Sequence, residues 1–202
     1  MSTALLTRKS HRQGEAPALT LSAPLSLACG RSHELCGPAR HSLALMLAGQ
    51  TSGPVLWIRP AWRSDRIHAD GAVSYLNPGR LVFADAPRPL DILWCMEEAL
   101  RSGATPLVIA ELEEPPGLTP IRRLHLAAQS APSKPAPIAL ILTPGEGGTQ
   151  GVESRWHLAP NHADGQSLWT LTRLRARMAP PASWVMEWIT SGSVRLAPTR
   201  LD

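Results

Sequence analysis

Four short runs of this chain are apolar from end to end: Val55-Leu56-Trp57-Ile58, Leu81-Val82-Phe83-Ala84, Pro106-Leu107-Val108-Ile109-Ala110 and Ile138-Ala139-Leu140-Ile141-Leu142. A strand with one face in water alternates apolar and polar residues, whereas a strand that is apolar throughout is covered on both faces. The covering layers lie between the runs. Leu43, Met46 and Leu47 recur at helical spacing, as do Ile92, Leu93, Met96, Ala99 and Leu100, and then Ile121, Leu124 and Ala128. Alternation of buried strands with such stripes predicts an α/β fold: a mostly parallel sheet flanked by helices.

Punctuation residues set the boundaries. His33-Glu34-Leu35-Cys36 reads as the first strand, ending at Gly37-Pro38, with Pro38 in the first turn of a helix that Gly49 and Gly53 close. Residues 59 to 80 read as irregular, with Pro60, Asp70-Gly71 and Asn77-Pro78-Gly79 as turn signals. Pro89 and Asp91 open a helix that Gly103 ends, and Thr119-Pro120 supplies an N-cap and first-turn pair. Gly145 to Gly151 reads as a flexible loop without basic or aromatic residues, either plain or ordered by a partner. In the last third, Trp156 to Leu158, Leu168 to Leu174, Trp184 to Trp188 and Val194 to Leu196 read as antiparallel strands extending the sheet. Residues 1 to 24 read as a flexible basic tail, and 25 to 202 as one domain.

The chain carries a net charge of +4 and a sequence pI near 9.5, almost entirely from arginine. That permits contact with nucleic acid or an acidic partner without requiring either. Cys29, Cys36 and Cys95 have no zinc-finger spacing, and an odd count argues against a disulfide framework. No apolar run reaches transmembrane length, so no membrane contact is expected and a cytoplasmic setting fits. Trp57 and Trp94 sit in apolar stretches and are expected in the core. Trp62, between Pro60 and Arg63, is expected at an interface, and Trp156, Trp169, Trp184 and Trp188 in the packing of the added strands.

Gly37-Pro38-Ala39-Arg40-His41-Ser42-Leu43-Ala44-Leu45 and Leu174-Arg175-Ala176-Arg177-Met178-Ala179-Pro180-Pro181 resemble two stretches of the RecA superfamily. Those are its phosphate loop and a late strand with its Ala-Pro turn. More closely, the chain resembles ImuA-type proteins, RecA-like accessory factors of bacterial SOS mutagenesis. That likeness rests on His33-Glu34-Leu35, Val55 to Arg59, Asp91 to Arg101, Arg122 to Ala128, Trp184 and Glu187-Trp188, and it covers most of residues 30 to 196. It implies a RecA-like sheet.

A phosphate loop needs G-x-x-x-x-G-K-[ST], so that backbone N–H groups and the lysine meet the phosphates and the hydroxyl meets Mg²⁺. Here only Gly37, Pro38 and Ser42 remain, with Arg40 as the nearest cation, and so short a loop cannot wrap a triphosphate. Glu111 ends a strand near the place of the family's Mg²⁺-linked carboxylate. No catalytic constellation, cofactor or metal site is expected.

Arg173, Arg175 and Arg177 alternate along a strand and are expected on one side. They read either as a charged edge strand kept from aggregating or as a patch for an anionic partner. By the resemblance, Arg175 and Arg177 would meet a nucleotide-bearing RecA-type surface. Arg122 and Arg123 read as a solvated helix face or as DNA phosphate contacts.

The resemblance implies a non-catalytic adaptor for error-prone translesion synthesis. Its partners would be an ImuB-type Y-family-like polymerase, an error-prone DnaE-type polymerase and, as a further candidate, RecA. The tail and Thr199 to Asp202 are candidate contact segments. Two other classes stand beside it: a RecA-family ATPase with an unusual loop, and a SulA-like inhibitor of cell division.

Overall fold

The computed structural model describes residues 17–163, 165–189 and 193–198. The apolar runs are strands: β4 (Val55–Pro60), β5 (Leu81–Ala86), β6 (Leu107–Glu111) and β7 (Ile138–Leu142), but β5 lies at the sheet edge and leaves Val82 and Phe83 exposed, against the expectation of cover on both faces. With β3 (Ser32–Cys36) and the later β8 (Ser154–Pro160), β9 (Leu168–Ala176), β10 (Ala182–Ile189) and β11 (Ser193–Pro198), they form one sheet among the described residues. Its order is β11-β10-β9-β8-β3-β7-β6-β4-β5. From β5 to β8 every pairing is parallel, and β8 to β11 form an antiparallel meander. The architecture is therefore α/β with a mixed, mostly parallel sheet, as expected.

Each face has its own core. On one, α1 (Arg40–Gly49) lays Leu43, Met46 and Leu47 against Leu35, Trp57, Leu140 and Trp156. On the other, α3 (Pro89–Ser102) and α4 (Leu118–Ser130) cover Ile58, Val108 and Ile141 with Ile92, Met96, Leu100, Ile121 and Leu124. Trp156, Trp169, Trp184 and Trp188 join the first core. Trp57 is fully buried, but Trp94 is 60% exposed, against the expectation. Two residues along a helix turn the side chain by roughly 200°. Trp94 therefore points away from the stripe that begins at Ile92.

Several boundaries differ from the sequence reading. The expected tail is structured in part: β1 (Ala18–Ser22) pairs antiparallel with β2 (Leu25–Ala28), placing Leu25 and Leu27 in the first core. Residues 1–16 and 199–202 lie outside the described residues. Pro38 precedes the N-cap Ala39, because the chain first turns at Gly37. Gly117 caps α4, which places Pro120 inside the first turn, where a missing N–H leaves no helical bond unmade. The stretch from 59 to 80 is less irregular than expected, with the end of β4, a short helix α2 (Ala69–Ala72) and a 3₁₀ turn (Pro78–Arg80).

A buried hydrogen-bond chain ties β2, β3 and β8 together. Trp156 Nε1–H donates to Ser154 Oγ at 2.9 Å, and Ser154 lies 2.7 Å from His33 Nδ1. His33 Nε2 lies 3.1 Å from the Ala28 carbonyl. A carbonyl only accepts, so Nε2 carries the proton and Nδ1 accepts from Ser154. Burial pushes the His33 pKa from 6.5 down to about 4, against the opposing pull of the Ala28 carbonyl. The unfolded chain therefore takes up this proton first as pH falls. The stability due to His33 is full above pH 6.5 and is lost progressively toward about pH 4. An NMR titration is expected to give His33 a midpoint near 4, with urea unfolding midpoints falling over the same window. A midpoint at the free-imidazole value would contradict the burial of His33 between β2 and β8.

Candidate functional site

β3 ends at Cys36 and α1 begins at Arg40, which leaves a tight turn at the C-terminal end of the parallel strands. Ligands of open α/β sheets sit at such a place. Gly37 takes φ +87°, and a Cβ there would lie 2.6 Å from both His157 Nε2 and the Leu158 carbonyl oxygen. A phosphate cradle works by presenting unbonded backbone N–H groups to the anion. In this turn the N–H of Gly37 donates to the Gly145 carbonyl at 2.8 Å, that of Ala39 to Leu158 at 3.0 Å and that of Arg40 to Gly37 at 3.4 Å. Pro38 has no N–H. The Arg40 guanidinium turns back to the Gly37 carbonyl at 3.1 Å, and the Ser42 hydroxyl bonds to Tyr75. Of the expected loop remnant, Gly37, Arg40 and Ser42 are thus engaged within the protein.

The carbonyl that takes the Gly37 N–H belongs to the glycine-rich loop, and that loop is ordered from inside rather than plain. Glu34, fully buried in β3, accepts from Thr143 Oγ1 at 2.7 Å and Thr149 Oγ1 at 2.6 Å. It also accepts from the N–H groups of Gly148 at 3.0 Å and Thr149 at 3.1 Å, and from Arg155 Nε. Gly147 must be glycine, since a Cβ there would meet Glu34 Oε1 at 2.7 Å. Burial acts to raise the Glu34 pKa, but these donors outweigh it and hold the carboxyl below its ordinary value. The sequence reading missed this centre. Its one local signal is a lone carboxylate inside a strand that is otherwise apolar after His33.

Glu111 exits β6 as expected, and its oxygens are occupied. Trp57 Nε1–H donates at 2.6 Å and His41 Nε2 lies 3.5 Å away. Burial raises its pKa, but the His41 and Trp57 bonds prevail and hold it below the carboxylate norm. A cleft of about 440 Å³ opens beside it, between His41, Ser42 and Tyr75 on one side and Arg63 to His68 on the other.

The expected arginine row divides. Trp156 lies opposite Arg173 and Arg155 opposite Arg175, so Leu174 is an extra residue on β9. Directly opposed residues share a face. Arg173 accordingly lies over Trp184 and Trp156, 5.2 and 5.7 Å from the ring centres. Arg175 takes the opposite face with Arg155, and Arg177 follows the end of the strand. Arg175 and Arg177 are exposed, without a side-chain partner among the described residues. On α4, Arg123 reaches Glu97 of α3 at 2.7 Å, while Arg122 is exposed. Trp62 is 45% exposed, its indole N–H on Glu113 at 3.1 Å.

Among the described residues no group of His, Cys, Asp and Glu is arranged to hold a metal, and no helix is long and apolar enough to cross a membrane. Neither the scan against protein-family models nor the search of curated proteins finds a match to this chain.

Replacing Gly37 with alanine combines a left-handed backbone with two close contacts, and is expected to lower stability by about 3 kcal/mol or more. Gly53 has a similar φ of +82° but open space around it. Gly53→Ala should lose only about 1 kcal/mol. Urea unfolding of both variants tests this; equal losses would show that the turn is not closed by His157 and Leu158.

Proposed function

We propose that this protein is a RecA-like, ImuA-type adaptor that works by binding and without nucleotide chemistry of its own. The observation that carries this reading is the closed turn after β3. The N–H groups of Gly37, Ala39 and Arg40, which would face a phosphate there, are bonded to protein carbonyls, and among the described residues no lysine stands nearby. The parallel order β5-β4-β6-β7-β3 with an antiparallel extension is compatible with a RecA-like sheet. The sequence likeness through His33 to Leu35, Asp91 to Arg101 and Arg122 to Ala128 supplies the rest.

On this reading the protein acts in the cytoplasm during SOS-induced mutagenesis. It brings together an ImuB-type Y-family-like polymerase and an error-prone DnaE-type polymerase at damaged DNA, with RecA as a further candidate partner. Arg175, Arg177 and Arg122 supply free positive charge for an anionic surface, whether nucleic acid or a nucleotide-bearing partner. Arg173 and Arg123 are held in packing and in an ion pair, so they contribute less to such contacts.

Two measurements on the full chain test the reading. A ligand at about 100 times its Kd stabilises a fold by about 2.7 kcal/mol. Saturating Mg-ATP is expected to leave the unfolding temperature unchanged, and a clear rise would favour an ATPase with an unusual loop. Recovery of the tagged protein from DNA-damaged cells, with mass spectrometry of what comes with it, is expected to enrich the two polymerases and RecA. Enrichment of the division GTPase instead would replace the adaptor reading with a division inhibitor.

A further inference from the structure

The face that α3 and α4 turn to solvent is unusually apolar. Leu90 is 81% exposed and Trp94 60%. Lying four residues apart, they stack along one stripe of α3. Leu90 and Leu93 form the shared wall of two clefts. The larger, about 460 Å³, runs past Trp62, Leu112 and Pro115; the smaller, about 290 Å³, lies between Trp94 and Pro120. The result is one groove with a tryptophan toward each end. Trp62 is steadied by its bond to Glu113. Exposed apolar area of this kind, with tryptophans to anchor it, marks a protein contact.

The charges around the groove indicate what fits it. The nearby cations already have acidic partners: Arg88 makes a two-pronged contact with Asp91, Arg101 binds Glu97 and Glu98, and Arg123 binds Glu97. The acidic side is not. Glu113 and Glu114 line the larger cleft, and neither has a cationic partner among the described residues. We infer that this groove is a docking site for a peptide segment of another protein, one that places large apolar side chains in the two clefts and a lysine or arginine against Glu113 and Glu114. The assignment goes beyond the adaptor reading and does not depend on the closed turn.

The test is selection of a random-peptide display library on the full-length protein, followed by affinity measurement with the enriched synthetic peptide. Enriched sequences are expected to share two large apolar residues and a basic one. Leu90→Asp and Trp94→Ala should each weaken the synthetic peptide by about tenfold or more. Leu126→Asp, at an exposed α4 leucine outside the groove, should leave affinity unchanged. Glu113→Lys with Glu114→Lys should switch the enriched charge from basic to acidic. Failure to enrich, binding indifferent to Leu90 and Trp94, or an unchanged charge preference in the double variant would each overturn the proposal. So would concentration-dependent self-association abolished by Leu90→Asp, which would make a second copy the occupant. Heat-shift by Mg-ATP would defeat the nucleotide-free reading and leave the groove standing; failure of the peptide selection would do the reverse.

Discussion

One buried carboxylate organises the end of the sheet where a ligand would otherwise bind. Glu34 lies in the middle of β3 with no exposure to water, and an uncompensated charge there would cost several kcal/mol. Two threonine hydroxyls, two backbone N–H groups and the Arg155 guanidinium compensate it. Those donors come from the loop after β7 and from β8, so satisfying Glu34 folds the loop over the end of β3. The loop then presents the Gly145 carbonyl to the N–H of Gly37. A charge buried inside the sheet in this way closes the turn outside it.

That closure bears on what the turn can bind. A turn whose Gly37, Ala39 and Arg40 N–H groups already have acceptors gains little from a phosphate at those groups, because a ligand must first break good hydrogen bonds. The turn after β3 is thus filled by the chain's own bonds, with the cleft at His41, Ser42 and Glu111 still open beside it, and the proposed adaptor reading places function on the helix-covered surfaces. Those surfaces differ. The face over α1 is covered in part by the β1–β2 ribbon and the tryptophans of the meander. The face over α3 and α4 keeps Leu90, Trp94 and Trp62 in water. Both facts together support the proposed reading of function by binding.

The strands were readable because burial on both faces leaves a purely local mark: Val55 to Ile58 and Ile138 to Leu142 have no polar residue to place in water. The meander was readable for the complementary reason, since its tryptophans recur between turn residues. The first strand of the ribbon, at Leu19 and Leu21, carries an alternating signal as well, hidden in a stretch that reads as tail from its charge and its prolines. Trp94 misleads because residue type and position disagree: it is apolar, but two places along from Ile92 it faces outward. The Glu34 centre could not be read locally at all. Its partners Thr143, Thr149 and Arg155 lie more than a hundred residues away, and only the parallel pairing of β3 with β7 and β8 brings them together. The split of Arg173 from Arg175 was equally hidden, because one extra residue at Leu174 reverses a face without changing the sequence pattern.

Amide hydrogen exchange in the intact chain and in Glu34→Gln tests the dependence of the turn on the buried carboxylate. Removing one partner of a buried ion pair costs about 3 kcal/mol. Protection of the Gly37, Gly148 and Thr149 amides should therefore fall by about a hundredfold in the variant, while amides in the middle of β6 keep theirs. If Gly37 remains as protected in Glu34→Gln as in the parent chain, the carboxylate does not close the turn.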